Sequence, residues 1–125
     1  MTSILLRKKV MVVDDESPIR EVLTRYFRRR GFSVMQASSG KEAIEIFTQY
    51  RPHIVLLDIL MPGLNGLETL KQLKDIYPLF KAIMISAVKD EEVFSKCREL
   101  GAIDYIVKPF DLSYLDARIA GKLLG

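Results

Sequence analysis

The sequence predicts an α/β domain built as a doubly wound parallel sheet of five strands. Three observations predict it. Short apolar runs, such as Val10–Val13, Ile54–Leu57 and Ala82–Ile85, alternate with stretches whose apolar residues recur at helical spacing. A single helix joins each strand to the next, so the strands lie parallel, and right-handed crossovers place helices on both faces of the sheet. The run Ile54–Leu57 has no polar alternate, as a strand buried on both faces requires.

A chain of 125 residues suffices for one domain with a real core, and no low-complexity segment or linker divides it. A hydrophobic fraction of 49% with 28% charged residues is that of a soluble globular protein. The net charge of +3 is too mild to argue for direct nucleic-acid binding. The single cysteine, Cys97, excludes an internal disulfide and fits a reducing, cytoplasmic setting. Ile4-Leu5-Leu6 is too short for a signal-peptide core, and no apolar run approaches a membrane span.

Residues 1–8 read as a lead-in and 9–125 as the domain. Lys9–Val13 is the first strand, followed at once by Asp14-Asp15-Glu16. Ser17 then reads as the N-cap of a helix with Pro18 at its first position and an acidic first turn. Ile19, Leu23 and Phe27 can face the sheet while Val22 and Tyr26 flank them, so that Tyr26 reads equally as cover for the core rim or as a contact surface. Arg28, Arg29 and Arg30 suit the negative end of that helix, and Gly31 closes it. Nothing aromatic interleaves with the three arginines, which favours a solvated helix end over a nucleic-acid contact.

Phe32–Ala37, with Ser33 and Gln36 as polar members, is a weaker strand expected near an edge. Ser38-Ser39-Gly40 leads into a helix with Ala43, Ile46, Phe47 and Tyr50 as its stripe, closed by Pro52. His53 has no Cys or His partner at ligand spacing and reads as structural. Ile54–Leu57 is the third strand. Asn65-Gly66 opens a helix carrying Leu67, Leu70, Leu73 and Tyr77. Ala82–Ser86 is the fourth strand, and the helix over Asp90–Leu100 turns Val93, Cys97 and Leu100 inward. Ile103–Val107 is the fifth. Asp111 caps a last helix through Leu112, Leu115, Ile119 and Leu123.

Folds of this kind gather their function at the carboxyl ends of the strands. Those ends present Asp14 and Asp15, Asp58, Ser86, and Lys108-Pro109. Taken alone, Asp58 reads as readily as a structural turn former or helix cap as it does as a functional group. Its companions change that reading. Carboxylates about 4 Å apart repel by about 4 kcal/mol per pair at an effective dielectric of 20. Protonation or a hard divalent cation relieves this, and an oxygen-only set without His or Cys points to Mg²⁺. Lys108 and Ser86 can each serve a phosphoryl oxygen, so the set reads as a device for taking a phosphoryl group onto a carboxylate.

The segments V-V-D-D-E, L-L-D-I-L-M-P-G-L-N-G, M-I-S-A and G-A-I-D-Y-I-V-K-P-F resemble the four signatures of bacterial two-component response-regulator receiver domains. The resemblance spans roughly Lys9 to Leu124. It implies a flavodoxin-like (βα)5 fold with strand order 2-1-3-4-5. It implies Asp58 as phosphoacceptor and a Mg²⁺ site formed by Asp15, Asp58 and the backbone carbonyl of Leu60, with Asp14 acting through water. Lys108 would pair with the phosphoryl group, and its bond to Pro109 would be cis. Ser86, where the family more often has Thr, would hydrogen-bond a phosphoryl oxygen, and Tyr105 would then change rotamer. The family receives its phosphoryl group from a sensor histidine kinase or histidine phosphotransfer protein. Pro18, Val22, Arg25, Tyr26 and Pro109 lie where such donors dock. An effector or output domain would read the surface of helix four, strand five and helix five, and a homodimer of the phosphorylated form stays open. So does the choice between a single-domain regulator and a receiver from a larger protein.

Two alternatives use related chemistry. A flavodoxin-like cofactor-binding domain needs a Gly-, Ser- or Thr-rich phosphate loop after the first strand, where this chain has D-D-E. A haloacid-type phosphatase commonly has a second Asp two residues beyond its nucleophile, where this chain has Leu60.

Overall fold

The computed structural model describes residues 8–124. The lead-in therefore lies, apart from the exposed Lys8, outside the described residues, as do the side chain of Leu123 and Gly125. The strands are β1 (Lys9–Val13), β2 (Ser33–Ala37), β3 (Ile54–Leu57), β4 (Lys81–Ser86) and β5 (Ala102–Val107). The helices between and after them are α1 (Ser17–Arg28), α2 (Gly40–Tyr50), α3 (Gly66–Ile76), α4 (Glu91–Glu99) and α5 (Leu112–Ile119), with a π-helical turn over Ala120–Leu124. All strands pair parallel in the order β2-β1-β3-β4-β5, so the sheet is the flavodoxin-like one, with β2 at an edge.

The two faces of the sheet are written in the alternation of each strand. Val10, Val12, Ile54, Leu56, Ile83 and Ile85 point to one side, where Leu23 and Phe27 of α1 and Leu115 and Ile119 of α5 cover them. Met11, Val13, Val55, Leu57, Ala82 and Met84 point to the other, under Ala43 and Phe47 of α2, Leu70 and Leu73 of α3 and Cys97 of α4. Cys97 is thus a small core residue, and burial pushes its thiol pKa up. His53 is structural as well. Its Nδ1 accepts from the Lys9 backbone N–H at 2.9 Å, holding the start of β1 to the turn before β3.

Several local expectations need correction. Ser17 is the first residue of α1, not its cap. The cap is Glu16, whose side chain makes no capping bond, and the first turn carries no acid. Glu16 is engaged elsewhere. Arg29 and Arg30 lie beyond the last helical residue, because the chain turns there toward Gly31 at φ +88°. Arg51, in the left-handed region at φ 53°, terminates α2 before Pro52 is reached. Tyr77 and Leu112 are exposed rather than inward, since each sits at a helix end outside the buried stripe. Asn65 forms a full capping box with Glu68 at the start of α3, and Ser39, Asp90 and Asp111 cap α2, α4 and α5.

Candidate phosphoryl-transfer site

Three functional side chains are each held by one ladder bond beyond a strand. The Asp14 N–H donates to Ala37 O at 3.1 Å, the Asp58 N–H to Val13 O at 3.0 Å and the Lys108 N–H to Ser86 O at 2.9 Å. The pairing that builds the sheet thus fixes the roots of the site. β1 and β3 are neighbours although β2 intervenes in the chain, and the crevice at this reversal of strand order is where Asp14, Asp15 and Asp58 meet.

One carboxylate oxygen from each of Asp14, Asp15, Glu16 and Asp58 lies within 4.8 Å of the others. Into this cluster reaches Lys108. Its ammonium donates to Asp14 Oδ2 at 2.8 Å, Glu16 Oε2 at 2.9 Å and Asp58 Oδ2 at 3.0 Å. Burial alone would lower the Lys108 pKa, but its bonds to Asp14, Glu16 and Asp58 outweigh that and raise it, so the ammonium is charged at neutral pH. Burial raises the Asp14 pKa, with the Asp58 charge adding to it, against the opposing bonds from Lys108 and the Glu16 N–H. Arg20 fixes the loop from behind, donating to the Asp14 carbonyl at 2.7 Å and to Gln36 Oε1 at 3.2 Å. Four oxygen ligands and one ammonium leave an excess of negative charge. A hard divalent cation fits that donor set.

Ser86 is fully buried at the end of β4, and its Oγ accepts a long bond from the Val88 N–H at 3.4 Å. Tyr105 is turned inward against Phe94, with ring centroids 4.4 Å apart, and its hydroxyl donates to Val88 O at 2.7 Å. The Leu60 N–H donates to Asp58 Oδ1 at 3.2 Å, while the Leu60 side chain is 58% exposed. The Lys108–Pro109 bond is cis. Of the residues expected at the donor-docking surface, Pro18, Arg25 and Pro109 are exposed and Val22 half-buried. Tyr26 is only 5% exposed and donates to Asp116 Oδ1 at 2.6 Å, with the Arg30 guanidinium stacked 3.7 Å from its ring centre. Tyr26 is therefore a covering residue between α1 and α5 more than a free surface.

Two charged contacts escape the sequence, one in the acidic cluster and one beside Tyr105. Glu16 was visible as the third acid of D-D-E, but periodicity placed it in a helix turn rather than on Lys108. Asp104, whose carboxylate pairs with Arg118 and with Lys122 Nζ at 2.9 Å, joins β5 beside Tyr105 to α5 and the turn after it. Nothing in the spacing of charges marked that contact.

The profile of the response regulator receiver domain family matches residues 10–120. Sporulation initiation phosphotransferase F of Bacillus subtilis is 36% identical over 108 residues, covering 86% of this chain and 87% of that one. The chemotaxis protein CheY4 of Vibrio cholerae superimposes with a TM-score of 0.86 at 26% identity, over 94% of this chain and 99% of that chain. A Borrelia burgdorferi structure, the CheX–CheY–BeF₃–Mg²⁺ complex, matches with a TM-score of 0.86 at 32% identity, over 91% of this chain and 87% of that chain. The chain belongs to the response regulator receiver domain family. It is accordingly a phosphoacceptor switch of two-component signalling, and the family match decides against the cofactor-binding alternative. Receivers of this family act with phosphodonor kinases and output partners. No helix among the described residues is long and apolar enough to cross a membrane.

Proposed function

We propose that Asp58 is the phosphoacceptor and that the protein takes its phosphoryl group, in the cytoplasm, from a histidine kinase or histidine phosphotransfer protein. The observation that carries this is the convergence of four carboxylates and one saturated ammonium at the strand ends, with Asp58 rooted at the end of β3. Asp15, Asp58 and the Leu60 carbonyl would hold Mg²⁺ directly and Asp14 through water. Bound there, Mg²⁺ would neutralise charge on the transferring phosphoryl oxygens. The similar Borrelia burgdorferi protein, solved with BeF₃ and Mg²⁺, supports this assignment.

In the transfer, an Asp58 oxygen forms the new P–O bond as the donor's P–N bond breaks, its electron pair remaining on the imidazole nitrogen. Lys108 exchanges its bond to Asp58 Oδ2 for one to a phosphoryl oxygen, and the Ser86 hydroxyl donates to another. The donor docks over Pro18, Val22, Arg25, the rim of Tyr26, and Pro109. A hollow of about 430 Å³ lined by Ile19, Val22, Ala87, Pro109 and Phe110 opens beside Lys108 and supports that placement. The Ser86 contact draws the following loop inward, Tyr105 follows, and the face of α4, β5 and α5 changes for an effector, an output domain or a second copy of the chain. The chain catalyses its own phosphorylation and a slow self-dephosphorylation, and no turnover of an external substrate.

The test is incubation with acetyl phosphate followed by intact-mass measurement. One added phosphoryl group is expected with Mg²⁺ and none with a chelator. Equal labelling in both would overturn the metal-assisted reading.

A further inference from the structure

We propose that Arg20 is a positioning residue for the cation site: by gripping the Asp14 carbonyl and Gln36 together, it sets the direction in which Asp15 presents its carboxylate. The proposal rests on the assignment of Asp15 and Asp58 as cation ligands.

Asp15 depends on its backbone for that direction. Its side chain is exposed, yet one of its carboxylate oxygens belongs to the acidic cluster. Strand pairing reaches only as far as the Asp14 N–H, which donates to Ala37 O at 3.1 Å. Beyond it, Asp15 hangs between two peptide units. The second is held by the Glu16 N–H, which donates to Asp14 Oδ1 at 2.9 Å. The first is held by Arg20 Nη1, which donates to the Asp14 carbonyl at 2.7 Å. A peptide unit is planar, so holding its carbonyl constrains the backbone angles on either side, ψ of Asp14 and φ of Asp15.

The place of Arg20 is otherwise unfavourable. It stands at the fourth position of α1, near the positive end of the helix dipole, where a cation is disfavoured. It is half-buried, and it spends its donors on two neutral oxygens, the Asp14 carbonyl and Gln36 Oε1 at 3.2 Å. Helical side chains lean toward the helix N-terminus, which carries the guanidinium back over the acidic loop. Its donors share one rigid plane, so Gln36 on β2 steadies the plane that grips Asp14. β2 thus holds the loop twice, through Ala37 and through Gln36. Charge and position pull opposite ways here. Deleting a positive charge beside a cation site tightens it, whereas deleting a support of its ligand loosens it.

The experiment is a Mg²⁺ titration followed by NMR on the parent, Arg20→Met, Gln36→Met and the double variant, with Arg28→Met as a control for the loss of one exposed cation from α1. Arg20→Met should weaken Mg²⁺ binding about tenfold, the low end of what the outer partners of metal ligands contribute. Gln36→Met changes no charge and should weaken binding by a smaller factor. The double variant should bind no more weakly than Arg20→Met, and Arg28→Met should match the parent. In the metal-free protein the backbone order of Asp15 should drop in Arg20→Met and hold in Arg28→Met. Binding by Arg20→Met as tight as the parent's, or tighter, would overturn the proposal, since the guanidinium would then act by its charge alone. So would losses that add in the double variant, because Arg20 and Gln36 would then act separately. Should the parent show no Mg²⁺ binding that Asp58→Asn alters, the cation-site assignment itself falls and the proposal with it.

Discussion

The Tyr105 hydroxyl donates a 2.7 Å hydrogen bond to the Val88 carbonyl, tying β5 to the loop that leaves Ser86. Burial raises the Tyr105 pKa, so the hydroxyl keeps its proton and remains a donor at neutral pH. Any inward pull on that loop reaches Tyr105 through one short bond. Ser86→Ala should therefore still accept a phosphoryl group yet fail to pass the change on, because the hydroxyl couples phosphate to the loop. Adding beryllofluoride and Mg²⁺ should shift NMR signals of α4 and β5 in the parent and leave most of them unmoved in Ser86→Ala. Identical shifts in both proteins would remove Ser86 from the coupling.

We propose that Leu60 and Val88, two residues beyond Asp58 and two beyond Ser86, flank the approach to Asp58. Leu60 is 58% exposed and Val88 half-buried, and neither side chain can orient a water. Phosphoryl transfer depends on positioning, so the phosphorylated form should decay over many minutes or longer. Decay after donor removal measures this, with Leu60→Asn/Val88→Glu expected to be faster by about a hundredfold, the lower end of what a positioned catalytic group contributes. Parent decay within seconds would contradict the argument.

Gly66 sets the distance between α3 and the end of β3. A Cβ added there would meet the Asp58 carbonyl oxygen at 2.1 Å and the Ile59 Cα at 2.6 Å, both backbone atoms that cannot swing aside. Gly66→Ala should cost about 3 kcal/mol in urea unfolding, at the upper end for overpacking. It should also weaken Mg²⁺ binding by displacing Asp58. Unchanged stability would mean that the helix can back away freely.

Tyr26 makes a pH signature. Burial first, and its bond to Asp116 second, push its pKa from 10.0 up to about 12. The folded state thus holds this proton more tightly than the unfolded chain does. Its stabilising effect is complete below pH 10 and is lost as pH rises toward 12. Urea midpoints across that window should fall in the parent and fall less in Tyr26→Phe. Parallel curves would show that the Tyr26–Asp116 contact is not the cause.

The sheet was legible because its three inner strands, β1, β3 and β4, are short apolar runs buried on both faces, with a breaker or polar residue at either end. The cluster of polar groups at the strand ends was legible for a related reason. Asp14, Asp58 and Lys108 each follow a strand by one residue, so sequence position fixes spatial position. Glu16 was not, since its side chain reaches Lys108 across 92 residues while its backbone starts a helix. The same holds for Tyr26 with Asp116 and for Asp104 with Arg118 and Lys122. Contacts between side chains on different elements depend on rotamers and packing geometry, and periodicity carries neither.

The assignment of Asp58 rests most directly on one comparison: intact masses of the parent and of Asp58→Asn after incubation with acetyl phosphate and Mg²⁺. Asp58→Asn keeps the shape of the side chain and removes the nucleophilic carboxylate. The parent should gain one phosphoryl group and Asp58→Asn none. Labelling of Asp58→Asn to the parent's extent would place the phosphoryl group on another residue and contradict the account.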